Sequence, residues 1–100
     1  MIIRYWRGWT TPEQAHAYQE VLTQHVIPMI KGYNIAGFQK IESMRRDVED
    51  EVEFATIMRF DCLDDVKEFV GEDYETAHIP DIARAVLKRW DERVIHYEAF

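Results

Sequence analysis

Ile2-Ile3-Arg4-Tyr5-Trp6-Arg7-Gly8-Trp9 opens the chain, and the reading of this stretch decides the fold. Its β-branched and aromatic residues read as a β-strand. Successive side chains of a strand point to opposite faces, so a sheet covered on one side shows one apolar row and one polar row. This strand shows neither. Ile3, Tyr5, Arg7 and Trp9 form one row, and Ile2, Arg4, Trp6 and Gly8 form the other. Large aromatic groups and arginines stand in both. The pattern asks for cover on both faces: the chain's own helices on one side and a second copy of the chain on the other.

Working outward, Thr10-Thr11-Pro12-Glu13 is a helix start, with Thr11 as cap, Pro12 at the first helical position and Gln14 three after Thr11. The helix is expected to reach about Pro28, where proline should bend or end it. Ala15, Tyr18, Val21, Leu22, Val26 and Met29 form its buried stripe. A second strand is expected over 35–46. The acidic stretch 47–50 has neither Gly nor Pro, so a loop longer than two residues is expected there. A third strand follows over 51–60, with Val52, Phe54, Thr56, Met58 and Phe60 in one row. Asp61 or Cys62 caps the next helix, Leu63, Val66, Phe69 and Val70 are its buried stripe, and Gly71 stops it. A connector leads to Pro80, which opens a helix to about Trp90 burying Ile82, Val86, Leu87 and Trp90. A strand over 93–100 closes the chain.

This order is βαββαβ, an α+β class with a ferredoxin-like, four-stranded antiparallel sheet and helices on one face. Residues 1–100 make one domain. Met44, Phe54, Ile57, Met58 and Tyr97 exceed what one helical layer covers. Two sheets are therefore expected to pack together in a homodimer.

Composition excludes several partners. Twelve basic and nineteen acidic residues give a net charge of −7, and no basic stripe is present to meet nucleic-acid phosphates. The single cysteine, Cys62, admits no internal disulfide, which fits a reducing compartment. The opening stretch carries Arg4 and Arg7 and is strand-like, so no signal peptide is expected, and no apolar run is long enough to span a bilayer. A cytoplasmic protein without a membrane partner is expected.

The chain resembles the antibiotic biosynthesis monooxygenase superfamily, among the dimeric α/β-barrel proteins. The likeness rests on Trp6-Arg7-Gly8-Trp9-Thr10, on Glu53 to Asp61 running from strand into helix, on Phe69-Val70-Gly71-Glu72-Asp73-Tyr74 leading to His78-Ile79-Pro80, and on His96-Tyr97-Glu98. It implies a homodimer whose two four-stranded sheets close into a barrel, with a pocket between sheet and helices in each subunit. The founding members oxidise an electron-rich aromatic molecule without metal or flavin, through a carbanion that reacts directly with O₂. A haem-degrading branch has an Asn on its first strand, a Trp in its second helical region and a haem-ligating His soon after. Of these three, only the His has a counterpart, at His78.

His78 is accordingly the candidate general base, or a haem ligand, its ordinary pKa suiting either role; its alternative is a capping or surface histidine. Arg4 and Arg7 are candidates to polarise an enolate or phenolate oxygen, or simply to pair with acids. Arg4 is taken with His78 as catalytic. Trp6, Arg7, Phe69 and Tyr74 are taken as the ligand pocket, Trp6 being equally a structural anchor. His96 and Glu98 share a strand face, as a base with its carboxylate or as a pair at the dimer seam. His16 and Glu20, four apart on a helix, lack a third ligand, so no metal site is assigned. The function expected is cofactor-independent monooxygenation of a small aromatic or polyketide-like molecule. The alternatives are a non-catalytic ligand-binding or structural dimer, and haem binding through His78.

Overall fold

Val52, Phe54, Met58 and Phe60 alternate along one strand and are all buried, so this row defines the inner face of the sheet. In the computed structural model, which describes residues 1–100, their strand, β3 (Glu51–Phe60), lies between β1 (Ile2–Thr10) and β2 (Phe38–Val48). β1 pairs with β3 in one unbroken antiparallel register from Ile2 opposite Phe60 to Thr10 opposite Val52. Directly opposed residues share a face. Ile2, Arg4, Trp6, Gly8 and Thr10 therefore point inward, and Ile3, Tyr5, Arg7 and Trp9 point outward.

The domain is α+β, with a five-stranded antiparallel sheet, and its strand order is compatible with a ferredoxin-like arrangement. The strand expected over 93–100 is β5 (Ile95–Glu98), and a further short strand, β4 (Arg89–Trp90), forms before it where helix is expected. β4 pairs with Gly8 and Trp9, and β5 pairs with Ile2 to Tyr5, both along the same edge of β1. The helix expected from Pro80 to Trp90 is correspondingly short: α4 covers only Asp81–Arg84. Backbone pairing ends it. The Lys88 N–H donates to the Trp9 carbonyl at 2.8 Å and the Asp91 N–H to the Arg7 carbonyl at 3.0 Å. Tertiary ladder bonds outweigh the helical periodicity of the segment. Ala83 and Leu87 are buried, whereas Ile82 faces solvent.

The first helical region also departs from expectation. A 3₁₀ turn at Pro12–Gln14 leads into α1 (Ala15–Val21), then a π-helical stretch at Leu22–Val26, then α2 (Ile27–Gly32). Thr11 makes no side-chain cap. Pro28 does not end the helix, because it falls in the first turn of α2, just after the wide π turns, where its missing donor matters least. The same wide turns delay each side chain's return to the inner face. Ile30 is buried in place of Met29, which is exposed.

β2 begins at Phe38 rather than near residue 35, with a bulge between Phe38 and Lys40. The β2–β3 connection is a two-residue turn at Glu49-Asp50, shorter than expected, since Val48 pairs with Glu51. Glu49 takes the positive φ of 57° that the turn requires, which an L-residue other than glycine adopts at some cost. α3 (Leu63–Val70) starts at Cys62 in a reciprocal capping box with Asp65 and ends at Gly71, whose φ of 89° suits glycine.

The outer face has its own order. Trp9 points away from the helices yet is only 6% exposed. The Arg89 guanidinium lies 3.8 Å from its ring centroid and that of Arg7 5.1 Å. Arg89 and Lys88 both pair with Glu51, and their hydrogen bonds hold that carboxyl down to about 2. No helix is long and apolar enough to cross a membrane.

Thr10 ends β1 on the inner face, fully buried, and its hydroxyl has no hydrogen-bond partner. Replacing such a group by an isosteric methyl removes a desolvation penalty without opening a cavity. Thr10→Val is expected to raise unfolding free energy by about 1 kcal/mol in urea denaturation; a loss of stability would show that the hydroxyl is satisfied.

Candidate functional site

Arg4 is carried inside by register. Met58, opposite it on β3, faces the helices, and Arg4 follows, leaving it 7% exposed. Its Nη1 donates to the Tyr74 carbonyl at 2.7 Å and lies 3.0 Å from His96 Nε2. A guanidinium can only donate, so Nε2 accepts and the imidazole proton sits on Nδ1. Both protons of Nη1 are thus engaged, while Nε and Nη2 have no partner within the chain. No carboxylate pairs with the group. Burial alone lowers its pKa, to about 10, so it stays charged at neutral pH. Its guanidinium carbon sits 5.8 Å from the Phe69 ring centroid, a favourable cation–π distance.

His96 stands opposite Arg4 on β5. Burial first, and the Arg4 charge second, hold its pKa below 6.5, against a weaker opposing effect of Glu75. Its ring meets that of Tyr74 edge-on, with centroids 5.2 Å apart. His96 therefore belongs to Arg4 and Tyr74 rather than to Glu98, which is exposed.

Trp6 lies across Gly8. A β-carbon there would come within 2.8 Å of the Trp6 ring and 2.9 Å of Leu87, so only glycine leaves room for the indole. Its Nε1 donates to the Asp91 carbonyl at 2.7 Å, which fixes the ring. Tyr18, on α1, is 2% exposed and packs edge-on against Phe54 with centroids 4.8 Å apart. Burial raises its pKa and no hydrogen bond opposes the shift, so the phenol is neutral and unpartnered.

These groups surround a cavity of about 110 Å³ between the sheet and the helical layer. Arg4, Trp6, Thr56 and Met58 line it from the sheet, and Tyr18, Leu22, Val26 and Ile30 from the helices. Phe69, Val70 and the connector residues His78, Ile79 and Pro80 close its side. An outer funnel of about 310 Å³ continues from it between Met29, Tyr33 and Pro80, with Val26, Ile30, Phe69 and His78 bordering both spaces.

Of the residues singled out from sequence, Arg4, Trp6, Phe69 and His78 thus line one cavity. His78 is at the mouth, exposed, with Nε2 3.4 Å from the Asp73 carbonyl. Arg7 lies outside the site: the alternation that turns Arg4 inward turns Arg7 outward, where it pairs with Asp91 at 3.0 Å. Tyr74 does not border the cavity but supplies the carbonyl that anchors Arg4. His16 and Glu20 pair with each other on the solvent face at 2.9 Å, and no three His, Cys, Asp or Glu side chains converge anywhere in the chain. Sequence reasoning missed Tyr18, which reads as one more member of an apolar stripe. Its signal is chemical: a buried tyrosine carries a hydroxyl that normally finds a partner.

No protein-family model matches this chain, and no curated protein matches it.

Because the folded protein favours neutral His96, the unfolded chain takes up that proton first as pH falls. The contribution is therefore full above 6.5 and is lost progressively below it. The Glu51 contribution fades only in a more acidic window, as pH falls below 4.5 toward 2. Melting temperature is expected to fall between about pH 7 and about pH 5, and His96→Gln should flatten that segment. An unchanged slope in the variant would remove His96 as its source.

Proposed function

We propose that the domain is a homodimer that binds a compact aromatic molecule in the cavity between sheet and helices and oxidises it without metal or flavin. The observation that carries this reading is the cavity itself: an aromatic-lined space, open at the His78 side, with one buried cation, Arg4, at its wall. A guanidinium in an apolar setting stabilises negative charge developing on a phenolate or enolate oxygen. The resemblance to the antibiotic biosynthesis monooxygenases supports the reaction class. In that chemistry a base removes a proton from carbon, the carbanion adds O₂ and is reprotonated to a hydroperoxide, and loss of the second hydrogen from that carbon breaks the O–O bond, leaving C=O and water. His78 is the one histidine bordering the cavity and is the candidate base. A cavity of about 150 Å³ holds a benzene ring, so the inner space of about 110 Å³ takes no more than one ring and any aromatic substrate extends toward the funnel. A haem macrocycle exceeds the inner space, which favours a small ligand over haem at His78.

Non-catalytic ligand binding is the second reading, favoured by the exposure of His78 and by the lack of an acid–base pair within the cavity. Oxygen electrode measurements with hydroxylated aromatic compounds separate the two. The oxygenase reading expects uptake that falls about 10²-fold or more in His78→Ala; ligand binding without uptake across a broad panel supports the second.

The outer face supports the dimer. Tyr5 stands opposite both Ile57 and Ile95, and Ile3 opposite Tyr97. With Met44 these set apolar side chains on the outer face between Glu42, Arg59 and Arg7, with Met44, Ile95 and Tyr97 each more than two-fifths exposed. Packing this face on a second copy would close the ferredoxin-like sheets into a dimeric α+β barrel. Sedimentation should show a dimer at micromolar concentration that Ile57→Lys converts to monomer. A wild-type monomer would exclude the barrel.

A further inference from the structure

Arg4 and Tyr18 are two buried polar groups of the cavity wall with bonding capacity left over, and together they specify what the cavity holds. The open edge of Arg4 is the one carrying Nε–H and Nη2–H, since Nη1 is committed to Tyr74 and His96. Those two parallel donors match the two oxygens of a carboxylate. The chain has nineteen acidic residues, yet none reaches this cation, while Arg7, Arg46, Arg59, Arg89 and Arg93 all pair with acids. A buried charge without a counter-ion is costly, and an anion arriving from solution would supply one.

The remaining walls fix the rest of the ligand. Leu22, Ile30, Met58 and Phe69 offer apolar surface to a ring, and the inner volume of about 110 Å³ with the adjoining funnel leaves room on the Arg4 side for no more than one ring. Tyr18, neutral and unpartnered, adds a hydroxyl on the helical side. We infer that the cavity binds a single-ring aromatic carboxylate, its carboxylate on Nε and Nη2 of Arg4 and a ring hydroxyl or carbonyl at Tyr18. The inference deepens the proposed function and rests on this cavity being its ligand site.

The test is titration of the whole protein, followed by Trp fluorescence and calorimetry, with benzoate and the three hydroxybenzoates. Benzamide, benzyl alcohol and acetate serve as controls. The carboxylates are expected to bind about tenfold to hundredfold more tightly than the neutral single-ring compounds, and acetate weakly. Arg4→Lys, which keeps the charge but loses the fork, should lose most of that preference while circular dichroism shows the fold intact. Tyr18→Phe should weaken one hydroxybenzoate about fivefold to tenfold and leave benzoate unchanged. Benzoate and hydroxybenzoates binding no better than benzamide in the wild type would overturn the inference without any variant. Oxygen uptake is read separately: tight carboxylate binding without uptake overturns the oxygenase reading alone. Uptake with neutral aromatics and no carboxylate preference overturns the carboxylate alone.

Discussion

The antiparallel register between β1 and β3 is the constraint from which the other features follow. Phe60, Met58, Phe54 and Val52 must face the helices, because their burial against Val66, Ile30, Tyr18 and Ala15 makes the two halves of the core. Each fully buried side chain of that size contributes about 1.5–3 kcal/mol relative to exposure. Once that row is fixed, every residue of β1 is assigned a face. A slip by one residue would place Tyr5 and Arg7 inside and Arg4 and Trp6 outside, so the energy of the β3 row excludes it.

The two faces treat charge in opposite ways. Outside, guanidiniums are paired: Arg7 with Asp91, Arg46 with Glu53, Arg89 with Glu51. These exposed bridges contribute little individually, but with Trp9 beneath Arg7 and Arg89 they cover one end of the sheet. Inside, Arg4 has only the Tyr74 carbonyl and a neutral imidazole. The helical layer accordingly covers a space that is mostly apolar with one cation in its wall.

β3 was legible to the residue, because strict alternation over ten positions admits one reading. The Gly71 stop and a cap at Asp61 or Cys62 were legible from local chemistry, and the structure places the cap at Cys62. Three features were not. The π stretch leaves no mark in an apolar stripe whose members differ by one position. The turn at Glu49-Asp50 has no glycine, so its short length and positive φ arise from strand pairing rather than from turn residues. The 85–90 segment has helical spacing, yet it is taken by the free edge of β1, a partner no local window contains. Of the side chains that line the cavity, Arg4, Trp6, Phe69 and His78 were identifiable by residue type. Arg7 was misplaced because both rows of β1 carry an arginine and an aromatic, and only β3 decides between them.

Gly8 and the Asp91 carbonyl together hold the Trp6 indole close over position 8 of the strand. One wall of the cavity is therefore fixed by contacts within the chain. Rigid walls select by exclusion: a molecule one substituent too wide on that side meets a ring that has nowhere to retreat, and one that fits loses little by way of ordering. A larger residue at position 8 would displace the indole and change the width of the cavity with every other lining residue unchanged.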